Sequence, residues 1–231
     1  MRRPGTATPD GVPRYKTASA HAVAVLKAWI NDGVLAPGST IDQVQLSEDL
    51  GMSRVPIRTA LERLASEGLV VLSPHRSAIV VPLSLQEMRD LYYVRHHLEG
   101  VAAELAARQR ADDDLAALAR ILASTEAQVA AGDLEGFLAS NRAFHTRIYA
   151  ATGNAVLVRV IDGLWDLSER YRRAYLQLPA RAAESTSEHR RLYDLIREQR
   201  DVEAGAFMRE HNAKTMRVLE EWFQQRQLTR P

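Results

Sequence analysis

The chain has 231 residues, 46% hydrophobic and 26% charged, the balance of a globular protein with room for two modest domains. It has no cysteine, which excludes disulfides and thiolate metal sites and fits a reducing cytoplasm, and no apolar run approaches the ~18 residues of a membrane span. Thirty Lys and Arg against 29 Asp and Glu leave a net charge of +1, so a strong basic field is excluded and any DNA contact rests on a few placed cations.

Residues 1–16 are rich in Pro, Gly and Thr. They carry positive charge without an apolar core, so they read as a flexible arm and not as a signal peptide. A first helix is expected over 17–31, with Val23, Leu26 and Ile30 at helical spacing. Asp32-Gly33 ends it and Ala36-Pro37-Gly38 forms a turn. A short second helix covers 44–50 and stops at Gly51, where a left-handed residue is wanted. Ser53 then suits an N-cap, Pro56 is tolerated in the first turn, and a third helix runs to Glu67. Two β-branched runs, 69–72 and 78–81, flank a polar tip and read as a hairpin. Helix, tight turn, helix and hairpin over 17–82 describe a winged helix-turn-helix.

In the third helix Ile57, Ala60, Leu61 and Leu64 make one apolar face, while Val55, Arg58, Thr59 and Glu62 lie opposite. Arg54 stands one turn before Arg58. Arginine donates two bonds to guanine O6 and N7, valine touches a thymine methyl, and the helix start at Ser53 favours a phosphate. The candidate DNA-facing set is Ser53, Arg54, Val55, Arg58 and Thr59, with His75 and Arg76 at the hairpin tip. The competing reading is a protein-contacting helix with solvated arginines.

From Ser84 the pattern is helical throughout. Ser84-Leu85-Gln86-Glu87 matches a capping box. Six helices are expected over 84–109, 112–131, 133–151, 154–177, 180–199 and 201–226. Their short connections predict an antiparallel bundle over 84–228, and the protein is mainly α. Several polar residues fall on faces that should be buried. Asn141 and His145, four apart, share the stripe of Phe137, Leu138, Phe144 and Ile148. His189 precedes Leu192 and Ile196, and His211 lies among Met208, Thr215 and Leu219. Inward histidines are either hydrogen-bonded core residues or ligands of a metal held between helices. Arg95 sits in the apolar stripe of Met88, Leu91, Tyr92 and Leu98. It is either an ion-pair partner of Glu99 or a clamp on an effector carboxylate. Tyr92 either bonds that effector or fills the core.

The segments Leu35–Gly38, Gln45–Arg58, Ala60–Leu64 and Glu67–Val70 together resemble the GntR family of bacterial transcriptional regulators. The resemblance implies that Arg54 and Arg58 contact the operator. Three positions depart from the family pattern: Val44 where a basic residue is frequent, Thr59 for glutamate, and Ser77 for the wing glycine. Asn141-Arg142-Ala143-Phe144-His145, Ala151-Thr152-Gly153-Asn154, Glu188-His189-Arg190 and Met208-Arg209-Glu210-His211 resemble the FCD domain of the FadR subfamily, in its VanR-like branch. That resemblance implies a homodimeric repressor on a palindromic operator, released by a small carboxylate. It also implies a divalent metal, zinc or nickel, on one Asp and three His. Here the histidines are His145, His189 and His211, and Asn141 stands in the Asp position with a neutral amide, which weakens the metal. The alternative function is a metal-dependent hydrolase, for which the chain lacks the zincin helix motif and shows no obvious inward carboxylate as a general base.

Overall fold

Residues 17–73, 78–176 and 181–228 are described in a computed structural model of the chain. Helix α1, Ala18–Asn31, starts where the Thr17 hydroxyl accepts from the Ala20 amide at 3.1 Å and buries Ala22, Val23, Leu26 and Ile30. Strand β1 is Thr40–Ile41. Helix α2, Gln43–Leu50, is capped by Asp42, whose carboxylate accepts from the Val44 amide at 2.7 Å. It ends at Gly51, where φ is 62°, a left-handed conformation that needs no Cβ. Helix α3 is Arg54–Ser66, and strands β2 and β3 are Val70–Leu72 and Ala78–Val80. The three strands are antiparallel in the order β1-β3-β2, with Ile79 opposite both Thr40 and Val71.

The sheet is one strand larger than the expected hairpin. Two residues are too few to show a period, so β1 is visible only through its pairing with β3. Ser53 does occupy the N-cap of α3, but its side chain makes no cap hydrogen bond. Its hydroxyl therefore adds nothing to helix stability through the backbone. Leu26, Ile30, Ile41, Leu46, Ile57, Leu61 and Leu64 are each at most 2% exposed and form the core of this unit.

The chain divides into two compact units between Pro82 and Leu83. The second consists of α4 (Leu85–Gln109), α5 (Asp112–Ala131), α6 (Leu134–Ala150), α7 (Ala155–Leu176), α8 (Arg181–Arg197) and α9 (Asp201–Leu228). Only half of the capping box at α4 forms. The Ser84 hydroxyl accepts from the Glu87 amide at 3.2 Å, but the Ser84 amide donates to the Tyr171 hydroxyl instead. Glu87 turns away to accept from Arg170 at 3.0 Å. A remote tyrosine has replaced a local carboxylate, and so ties the start of α4 to α7.

Two apolar clusters fill the bundle. One gathers Ala106, Phe144, Ile148, Trp165, Leu192 and Met208; the other gathers Met88, Tyr92, Phe137, Tyr171, Leu219 and Phe223. Helices α4 and α9 approach each other closely at a glycine. A Cβ added at Gly205 would stand 2.9 Å from the Gly100 carbonyl oxygen and 3.2 Å from Glu104 Cβ. Among the described residues, no helix is long and apolar enough to cross a membrane.

Candidate functional site

The apolar face of α3 is buried and the opposite face is open. Arg54, Val55, Arg58, Thr59 and Glu62 are exposed, as is Ser53. Val55 is 65% exposed. Arg58 lies 3.5 Å from Glu62, both well solvated, so this pair holds Arg58 only weakly. Val44, at the start of α2, is 44% exposed. His75, Arg76 and Ser77 lie outside the described residues.

The second unit brings its inward polar residues together. On α6 the stripe Phe137, Leu138, Asn141, Phe144, His145, Ile148 is buried from end to end. His189 from α8 is buried beside it, with its Nε2 3.1 Å from His145 Nε2. His211 from α9 completes a triangle of rings, with centroids 5.4 Å from each of the other two. One donor nitrogen from each ring lies within 4.8 Å of the others. Zn–N bonds of ~2.0–2.1 Å put two nitrogens on one ion at most ~4.2 Å apart, so small side-chain rotations close the cluster on a divalent cation.

The surroundings favour the neutral imidazole at His145 and His189. Burial, then His189 and His211, push the His145 pKa well below its ordinary value; burial and His211 do the same for His189. Neutral imidazole is the form that ligates metal. His145 Nδ1 lies 3.2 Å from the Tyr149 hydroxyl. His211 Nδ1 lies 2.7 Å from Glu188 Oε2, leaving Nε2 for the pocket. Such carboxylate–histidine contacts fix the ring orientation of metal ligands. Glu188 also pairs with Lys214 at 2.5 Å. Burial alone would raise its carboxyl, but His211 and Lys214 bring it down to about 2. His189 Nδ1 is buried without a hydrogen-bond partner.

Asn141 lines the same pocket, 5% exposed, together with Tyr92 and Arg95. About 320 Å³ of space lies between the atoms in and around this pocket, part of it open to solvent. Arg95 makes the structural ion pair: Nε donates to Glu99 Oε1 at 2.6 Å and Nη1 to the Ser168 hydroxyl at 3.0 Å. Its guanidinium also lies 4.7 Å from the Tyr92 ring and 4.6 Å from the Trp165 ring. Lining the pocket and pairing with Glu99 are therefore simultaneous, not exclusive.

Glu99 corrects the expectation that no carboxylate points inward. It is fully buried and accepts four hydrogen bonds. Arg95 and the Trp165 indole donate to Oε1, and the Tyr149 hydroxyl and Asn212 amide donate to Oε2. Burial raises its pKa, but Arg95, Tyr149 and Asn212 outweigh that and hold it below the usual value. Sequence reasoning also missed Trp165, Arg172, Ser185, Asn212 and Thr215, all of which line the pocket. A signal existed: Trp165, Ser168 and Arg172 fall on one face of α7, and Ser185 and His189 are four apart on α8.

Comparison with known proteins follows the same division. Residues 18–80 match the family model described as bacterial regulatory proteins, gntR family, and residues 90–214 match the FCD domain. The HTH-type transcriptional regulator McbR of Escherichia coli (strain K12) is 31% identical over 140 residues, 61% of this chain and 63% of that protein. The aligned segment thus spans a little under two thirds of that relative. The structure titled E. coli McbR/YncC superposes with a TM-score of 0.79 at 24% identity, covering 90% of this chain and 100% of that one. An HTH-type transcriptional regulator from the TAR-I ttuE-ttuC' intergenic region of Agrobacterium vitis is 34% identical over 144 residues, 61% of this chain and 84% of the relative. The gluconate operon transcriptional repressor of Bacillus licheniformis is 26% identical over 169 residues, 73% of this chain and 68% of the relative.

Proposed function

This chain belongs to the gntR family of bacterial regulatory proteins and carries an FCD domain, and from that premise we propose that it is a homodimeric DNA-binding repressor released by a small carboxylate bound among the histidines of its helical unit. The observation that carries the reading is the buried cluster of His145, His189 and His211, from three helices, of which His145 and His211 line the same pocket as Arg95. The DNA-reading face is α3. Arg54 and Arg58 recognise guanines, Val55 a thymine methyl, and Ser53 and Thr59 the backbone beside them.

In the helical unit His145, His189 and His211 hold a divalent metal, zinc or nickel, with Asn141 as a neutral fourth ligand. Such an ion supplies a fixed positive charge that fastens an effector carboxylate. Arg95 and Tyr92 line the pocket beside it. Because Asn141 brings no charge, metal and carboxylate reinforce each other's binding. The effector releases DNA only through a different affinity for two arrangements of the dimer. A repressor is favoured because relatives of this kind are named as repressors. The hydrolase reading loses ground on one observation. The buried Glu99 carboxylate has every acceptor position taken and none left for a water.

The test uses the full chain, a duplex that the protein itself selects from a random pool, and a panel of small carboxylic acids with and without zinc. Retention of the selected duplex, and its release by at least one acid more readily when zinc is present, is the expected result. Failure to retain any duplex at low salt sinks the DNA reading. Release that is indifferent to every acid sinks the effector reading.

A further inference from the structure

The pocket holds a second cation that the function above leaves unused. Arg172, on α7, is 4% exposed and lies 4.2 Å from the Trp165 ring, which carries Arg95 at 4.6 Å. Arg172 Nη1 donates to Glu169 Oε2 at 2.9 Å. Its Nη2 is buried with no hydrogen-bond partner, and the residue lines the same pocket as Asn141, His145 and His211. A buried guanidinium nitrogen without an acceptor is unfavourable until one arrives.

Among the described residues, none supplies that acceptor. Glu99 is saturated by Arg95, Trp165, Tyr149 and Asn212. Glu169 spends Oε2 on Arg172 Nη1, and its Oε1 lies 3.8 Å from Arg173. The other pocket-lining groups, from α6, α8 and α9, are amides, hydroxyls and imidazoles, none of them anionic. Arg142, also near the Trp165 ring, adds positive charge and is paired with Asp166 at 2.8 Å. A planar guanidinium with an open nitrogen, desolvated and stacked on an indole, is suited to a carboxylate or phosphonate oxygen.

We propose that the ligand is a small dianionic acid, with one carboxylate at the histidines and a second acidic group accepting from Arg172 Nη2. This deepens the carboxylate reading above and rests on it.

Isothermal titration of the zinc-loaded full chain near neutral pH decides the matter with matched probes. These are propionate against malonate, butyrate against succinate, valerate against glutarate, and acetate against phosphonoacetate. At least one diacid should bind about tenfold tighter than its monoacid, equivalent to about 1.4 kcal/mol. The phosphonate arm identifies which second acid is preferred. Arg172→Gln should erase that preference, weakening the diacid far more than its monoacid, and Arg172→Lys should restore part of it. If monoacids bind but no diacid exceeds its partner, or if Arg172→Gln keeps the preference, the dianion inference is overturned while the carboxylate reading stands. If no acid of any kind binds, the carboxylate reading itself falls and takes this one with it. Should Arg172→Gln not fold, the wild-type ratio decides alone.

Discussion

Replacing Glu99 by Gln keeps the shape of a fully buried side chain and removes its charge. In the native protein that charge faces the Arg95 guanidinium at 2.6 Å, with the two side chains 0% and 3% exposed. The substitution leaves a buried cation without its counter-ion. Removing one member of a buried pair typically costs ~3–5 kcal/mol, because the survivor keeps its desolvation penalty. The amide also has one accepting oxygen where the carboxylate had two, so the bonds from Tyr149 and Asn212 or those from Arg95 and Trp165 are weakened. At ~2–4 °C per kcal/mol for a chain of this length, the melting temperature of the helical unit should fall by roughly 6–20 °C. The assay is urea and thermal unfolding followed by tryptophan emission in a Trp29→Phe background, so that the remaining indoles, Trp165 and Trp222, both report the second unit. The double variant Glu99→Gln/Arg95→Met should recover part of the loss, because it removes the orphaned charge as well. A single-variant loss below ~1 kcal/mol, or strictly additive losses in the double variant, would refute the argument that the pair is what stabilises this site.

Arg54→Ala and Arg58→Ala should each weaken specific DNA binding by ~1–3 kcal/mol in fluorescence anisotropy without shifting the melting temperature, since both side chains are exposed; wild-type affinity in both would remove α3 from the DNA-reading role. His145→Ala should abolish zinc uptake measured by elemental analysis, and Asn141→Asp should tighten it in a competitive chelator titration. Unchanged metal content in the first, or no gain in the second, would place that residue outside the metal's ligands. With metal stripped, the helical unit should lose stability as pH falls below 6.5. His145 and His189 are held neutral in the fold, by burial first and by the neighbouring His211 next, while the unfolded chain takes up protons at ordinary values. Above that pH both states are neutral and the stability is complete. His145→Gln should flatten the acid limb of a pH series of melting curves, and an unaltered limb would count against a buried neutral His145.

The helices were legible because each carries several turns of apolar spacing and a recognisable stop. Gly51, Gly132 and the 201 start fall where the chain breaks, and the α6 stripe is buried from Phe137 to Ile148 as its spacing requires. What could not be read depended on partners distant in sequence. Thr40–Ile41 becomes a strand only because Ala78–Val80 offers an edge. The capping box at Ser84 is completed by Tyr171, 87 residues away. In the site, the three histidines stood out because histidine is unusual on an apolar face. Arg172 did not, because arginine is common on helices and its burial depends on what α4, α6 and α9 bring around it. Glu99 was read only as the local partner of Arg95, and its bonds to Tyr149, Trp165 and Asn212 belong to three other helices.

The tight contact of Gly205 with the Gly100 carbonyl has a mechanical side. A side chain at Gly205 would meet backbone, which cannot swing away as a flexible side chain does. With such close backbone contact, sliding α9 along α4 would drive main chain into main chain, so the two helices behave as one girder. Glu99 and His211 stand on that girder, whereas His145, Arg172 and His189 stand on α6, α7 and α8. A ligand gripping both sets therefore draws lighter struts toward a fixed beam, and the strain it generates is delivered through α6, α7 and α8.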